Sequence, residues 1–104
     1  RFDIAFDSGK LIPPALRDTI IATPPERGYS HGWFHEAWNG HKLLWHSGWE
    51  ENSYSALYLK VPDRKLSLIV FANTEGIWWD NPLSRAELVS RSKIAQRFLH
   101  LFVE

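Results

Sequence analysis

The sequence predicts an α+β domain: an antiparallel β-meander of about four strands, a C-terminal amphipathic helix packed on it, and short N-terminal helices. Three observations carry this. Asn39-Gly40 lies between two aromatic, β-favouring runs, and Asn-Gly is the strongest short hairpin signal because both residues tolerate positive φ. Two further runs, Ser53 to Val61 and Leu66 to Asn73, flank the polar, Pro-containing turn Pro62-Asp63-Arg64-Lys65. Beyond Asp80-Asn81-Pro82, Leu83, Leu88, Ile94, Ala95, Phe98, Leu99, Leu101 and Phe102 share one broad side of a helical wheel, opposite Lys93, Gln96, Arg97 and His100.

In chain order, Phe2, Ile4, Ala5 and Phe6 have helical spacing, and Ser8-Gly9-Lys10 supplies the glycine that commonly follows a helix C-terminus. Pro13-Pro14 opens a second helix through Ala15 to Ile21, where a proline in the first turn loses no intrahelical bond, and Thr23-Pro24-Pro25-Glu26-Arg27-Gly28 stops it. Strands follow near 29–38 and 41–46, then the two later runs, then Thr74-Glu75-Gly76 and Ile77-Trp78-Trp79 before the last helix. No repeat, low-complexity tract or linker divides the chain, so residues 1–104 read as a single unit.

Twelve Lys+Arg balance twelve Asp+Glu, which argues against a nucleic-acid or anionic-membrane surface, since both require a basic excess. No apolar run reaches the length of a membrane span, and no charged-then-apolar leader opens the chain. The absence of Cys excludes a disulfide scaffold and thiolate metal sites. There is also no Met, and the chain opens abruptly on apolar residues at helical spacing. Together these lead to the expectation that it is a piece of a longer protein.

A two-residue turn at Asn39-Gly40 pairs Trp38 with His41, Phe34 with Trp45 and Trp33 with His46. In that register His31, His35 and His46 share one face, and Phe34, Trp38, Leu43 and Trp45 share the other, which is the expected core. Three imidazoles on one face invite a metal reading, but His31 and His35 lie about 13 Å apart on an extended strand, too far to share an ion without a bulge. Surface, hydrogen-bonded histidines are the simpler reading, and no cofactor or metal is expected.

Six Trp allow a stand-alone binding or interaction module whose platform is Trp33, Trp38, Trp49, Trp78 and Trp79; the alternative is that these rings are core or interface residues. Ser90-Arg91-Ser92-Lys93 fits the S-x-x-K pattern of penicillin-recognising serine enzymes. A base lysine must be desolvated beside its serine, however, and Lys93 falls on the polar side of the helix, so both residues read as ordinary helix surface.

From Gly28 to Gly76 the order and spacing of several short elements are distinctive. They are Tyr29-Ser30-His31-Gly32-Trp33-Phe34, Asn39-Gly40-His41, Leu44-Trp45-His46-Ser47-Gly48, Tyr54-Ser55-Ala56-Leu57-Tyr58-Leu59, Pro62-Asp63-Arg64-Lys65 and Leu68-Ile69-Val70-Phe71-Ala72-Asn73-Thr74. They resemble the C-terminal part of β-lactamase-related serine hydrolases, the group of class C β-lactamases, D-aminopeptidases and penicillin-binding-protein-like esterases. The flank Phe6-Asp7-Ser8-Gly9-Lys10-Leu11-Ile12 with Pro14-Ala15-Leu16 resembles the helical segment preceding the final strands in that family.

The resemblance implies a partial β-lactamase/transpeptidase-like fold whose active site joins S-x-x-K, Y-x-N and a third motif on a strand, K-T-G or H-x-G. His46-Ser47-Gly48 matches the third motif. By resemblance, His46 gives electrostatic or proton-relay support, Ser47 offers a hydrogen bond, and Gly48 lets an acyl substrate lie against the strand, where a Cβ would obstruct it. The backbone N–H of Trp49 would be one of two oxyanion-hole donors.

The chain departs from the family in placing Trp49-Glu50-Glu51 where a small residue often follows the glycine. No Tyr has Asn two residues on, and S-x-x-K occurs only at the wrong end of the order. The expectation is therefore a longer serine hydrolase acting on a small-molecule ester, amide or lactam, with these residues alone incapable of turnover. An uncovered sheet should also drive self-association.

Overall fold

The computed structural model describes residues 1–24, 28–75 and 88–104. The described residues form an α+β fold: helices α1 (Phe2–Asp7) and α2 (Pro14–Ile21), strands β1 (Tyr29–Ser30), β2 (Trp33–Trp38), β3 (His41–Trp49), β4 (Ser55–Val61) and β5 (Leu66–Ala72), and helix α3 (Lys93–Phe102). The strands make one antiparallel sheet in chain order, β1 to β5.

The Asn39-Gly40 turn has positive φ at both residues, 47° and 80°, and sets the expected register of Trp38 with His41 and Phe34 with Trp45. The run expected as one strand over 29–38 is instead two. His31 and Gly32, at φ 50° and 85°, make a second tight turn and pair Ser30 with Trp33, so the sheet has five strands rather than about four. His31 is therefore in a turn and shares no sheet face with His35 and His46. The β2–β3 ladder stops at Phe34 with Trp45, one pair short of the expected Trp33 with His46, while Trp33 pairs with Ser30 on its other side.

Alternation along the strands separates two faces. On one, Leu43, Trp45, Leu57, Leu59 and Val61 are buried against Val89, Ala95, Leu99 and Val103, with Phe34, Trp38, Leu66, Leu68, Val70, Ile94 and Phe98 packed around them. This is the face that the hairpin register identifies as the core. Phe34 and Trp45 stack there with ring centroids 4.5 Å apart.

Helix α3 begins at Lys93, preceded by a 3₁₀ turn over Val89–Arg91, and is shorter than its apolar pattern predicts. Leu88 lies before that turn and is exposed, as are Leu101 and Phe102. The buried stripe reduces to Ala95, Leu99 and Val103, flanked by Ile94 and Phe98. Leu83, Trp78, Trp79 and the Asp80-Asn81-Pro82 helix entry lie outside the described residues.

The second face carries α1. Lys60, in the middle of β4, is 2% exposed and donates to Asp3 and, at 2.9 Å, to Asp7, which stand four residues apart on one side of α1. Tyr58 and Ser67 also donate to Asp3, the latter at 2.6 Å. Phe6 is the buried residue of α1, whereas Phe2 and Ile4 face outward. Helix α2 is tied in by Arg17, whose guanidinium donates to the Asp7 carbonyl at 2.7 Å, and by Lys42, which donates to the Ile21 carbonyl.

Candidate active site

His46, Ser47, Gly48 and Trp49 are the last four residues of β3. On one side they pair in full with β4: His46 with Tyr58, Ser47 with Leu57, Gly48 with Ala56 and Trp49 with Ser55. On the other side they run past the end of the β2 ladder. A central strand thus becomes, over its last four residues, a strand whose β2-side edge has no strand partner among the described residues.

The direction of the backbone groups along that edge follows from one bond. Glu50 N–H donates to the Tyr54 carbonyl at 3.0 Å, so residue 50 turns its N–H toward β4. Peptide groups alternate between the two edges of an antiparallel strand, and the Trp49 N–H is therefore directed to the β2 side, beyond the last β2–β3 pair. That is the donor the resemblance assigns to an oxyanion hole.

Alternation assigns the backbone positions of His46 and Gly48 to the α1 face of the sheet and those of Ser47 and Trp49 to the core face, although the His46 ring lies beside Phe34 and Tyr29, whose positions are on the core face. The His46 ring is exposed and sits one residue past the last β2–β3 pair, with centroids 5.7 Å from Phe34 and 6.2 Å from Tyr29. Ser47 is half-buried. Gly48 has ordinary backbone φ, and a Cβ built on it would meet only the Ala56 Cβ, at 3.8 Å. The fold itself therefore tolerates a methyl group there.

Trp49 is fixed beside this edge. Its indole Nε1 donates to Glu75 Oε2 at 2.7 Å, and the Asn52 N–H donates to the same oxygen at 3.2 Å. Asn52 adopts φ 56° in the β3–β4 turn, which also holds the Ser53 N–H bond to the Glu50 carbonyl at 3.1 Å. Ser55 Oγ donates to the Thr74 carbonyl at 2.5 Å, tying the start of β4 to the residues after β5.

The other candidate residues are dispersed. His35 sits on β2, and its imidazole is held below the usual 6.5 by burial, then by the Lys42 ammonium and the His31 ring, against an upward pull from the Ser30 main chain. His31 Nδ1 lies 2.7 Å from Ser30 Oγ. Among the described residues no group of three His, Cys, Asp or Glu could hold a metal ion.

Of the Trp platform, Trp38 packs on the core and lies edge-on to His100 at 5.9 Å, while Trp33 lies edge-on to Tyr58 at 5.0 Å on the opposite face. Those two rings and Trp49 therefore occupy three separate places. Ser90 is not on a helix surface as expected. It is half-buried in the 3₁₀ turn before α3, and its N–H donates to the buried Glu36 carboxylate at 3.3 Å. Lys93 is exposed at the first turn of α3.

The Lys60–Asp3–Asp7 cluster is absent from the sequence reading, although a signal existed: a lysine inside the alternating run Leu57, Leu59, Val61, and two aspartates at helical spacing. Burial pushes the Asp3 carboxyl up, but hydrogen bonds from Lys60, Ser67 and Tyr58 outweigh it and hold the group below 3.8. Burial and the neighbouring Asp3 raise the Tyr58 phenol above its usual value, so it remains a neutral donor. With Lys60 buried and both aspartates paired to it, this cluster anchors α1 to the sheet.

Among the described residues no helix is long and apolar enough to cross a membrane. Comparisons with protein-family models, with curated proteins and with solved structures found no match to this chain.

Proposed function

We propose that the chain is the C-terminal part of a β-lactamase-related serine hydrolase and contributes the H-x-G strand to its active site. The observation that supports this reading is the difference between the two ladders of β3. Pairing with β4 continues to Trp49 and Ser55, whereas pairing with β2 ends at Trp45 and Phe34. A small-molecule acyl substrate lies along that edge, against Gly48, with its carbonyl oxygen accepting from the Trp49 N–H. His46, exposed past the last β2–β3 pair, supplies a dipole or proton relay to the leaving group. The nucleophile with its lysine base, and the Y-x-N element, come from preceding parts of a longer chain, together with the second oxyanion donor.

The test begins with the reading frame upstream of Arg1, which should encode S-x-x-K and then Y-x-N. The whole protein should then give a burst of acyl-enzyme with a chromogenic ester or β-lactam, lost on substitution of the upstream serine and much reduced in Gly48→Ala. An upstream frame without those motifs, or a burst lost instead on Ser90→Ala, would overturn the proposal.

A further inference from the structure

We propose that β5 is a self-pairing edge, through which two copies of this chain join their sheets as antiparallel neighbours about a two-fold axis at Val70. This gives the self-association a location and a register, and it does not depend on the hydrolase reading. Strand β5 is terminal in the sheet order and pairs with β4 alone among the described residues. Its seven residues, Leu-Ser-Leu-Ile-Val-Phe-Ala, contain no charge and no proline, the two devices that usually protect an edge. Ile69 and Phe71, on the α1 face, are 54% and 83% exposed.

The ladder geometry specifies the pairing. Since residue 50 bonds to Tyr54, alternation turns the backbone groups of Leu57 and Leu59 toward β5, and through their partners Val70 and Leu68 it turns those of Ser67, Ile69 and Phe71 to the open side. A two-fold axis normal to the sheet keeps like faces together, so each residue must meet one an even number of places away. The register centred on Val70 sets Ile69 against the second copy's Phe71, twice, in hydrogen-bonded pairs. It also brings Lys65, just before the strand, toward Glu75 of the second copy, just after it.

Moving the centre to Ile69 would instead oppose Asp63 to Glu75 and leave Phe71 against Ser67. Between these two registers, charge and apolar area both favour the one centred on Val70. Helix α1 extends the apolar strip: Asp3 is bonded to Ser67, and its neighbours Phe2 and Ile4 are exposed.

Val70 facing its own copy is a non-hydrogen-bonded pair, in which Cα atoms approach to about 4.5 Å, close enough for a disulfide. The chain has no Cys, so one substitution installs one thiol. Sedimentation of the 104-residue chain should show a monomer–dimer equilibrium. Under oxidation, Val70→Cys should give a covalent dimer on a non-reducing gel, whereas Ser67→Cys, whose counterpart is residue 73, should not. Phe71→Lys should abolish the dimer while leaving the far-UV circular dichroism unchanged. A monomer at every concentration, equal cross-linking of the two Cys variants, or a dimer indifferent to Phe71→Lys would each overturn the proposal. None of these readouts uses activity, so failure of the hydrolase reading would leave them unaffected.

Discussion

Two glycines of this sheet separate conformational need from functional need. Gly40 has φ 80°, and nothing lies within 4 Å of a Cβ built on it, so a side chain there meets no obstacle except its own backbone. Left-handed geometry costs an L-residue about 1–2 kcal/mol, and Gly40→Ala should lower the unfolding free energy by that amount, read as a shift of the urea midpoint with unchanged slope. Gly48 is the converse case. Its φ is ordinary and its Cβ would sit at contact distance from Ala56, so Gly48→Ala should leave the urea midpoint within error of the parent. A large stability loss in that variant would mean that the glycine serves the fold rather than a substrate.

Titration behaviour also belongs to single residues, and the direction follows from the sign of each shift. Asp3 is held below 3.8 in the folded chain, so its charge stabilises the fold above 3.8, and that contribution is lost as pH falls through the folded value. His35 is held below 6.5 and is preferred neutral, so its contribution is present above 6.5 and is lost at lower pH, through its own depressed value. Urea midpoints should therefore fall in two steps, one beginning below 6.5 and one below 3.8. His35→Gln should remove the first and Asp3→Asn the second. A wild-type midpoint flat between pH 7.5 and 5 would contradict the His35 assignment.

At the scale of elements, the legible parts were those in which one local signal acts alone. Asn39-Gly40 sets the hairpin register, and the alternation of Leu43 and Trp45 identifies the core face. The His31-Gly32 turn was not legible, because its flanking residues favour strands on both sides and only the backbone reversal reveals it. The apolar pattern of the last helix overstated its length, since periodicity cannot distinguish a residue in the helix from one in the 3₁₀ turn before it. The candidate site was legible as a motif, but its open edge was not, because that edge exists only through the early end of β2. Lys60 was missed because its partners, Asp3 and Asp7, lie more than fifty residues away. Within α3, Leu99 is fully buried against the sheet, and Leu99→Ala should cost about 2–5 kcal/mol, measured by urea unfolding.

The whole molecule is asymmetric about its sheet, and the asymmetry can be tested by removing one cover at a time. On the core face, α3, the turn before it and the residue after it supply Val89, Ala95, Leu99 and Val103 to a continuous apolar cluster. On the opposite face, α1 contributes one buried apolar residue, Phe6, and is held chiefly by Asp3 and Asp7 on Lys60. Dispersion and apolar burial hold the first cover, and charge-assisted hydrogen bonds hold the second. A chain ending at residue 92 uncovers Leu43, Leu57 and Leu59 at once and should lose its cooperative transition and the near-UV signal of Trp45. A chain beginning at residue 12 loses α1, but removal of that cover also returns Lys60 to water, so the lysine is not left as a buried unpaired charge. That chain should keep a cooperative, less stable transition and an unchanged Trp45 signal. Its pH dependence below 3.8 should weaken, since Asp3 is gone. Equal damage from the two deletions would show that α1 carries as much of the core as α3, contrary to the division of roles between the two faces.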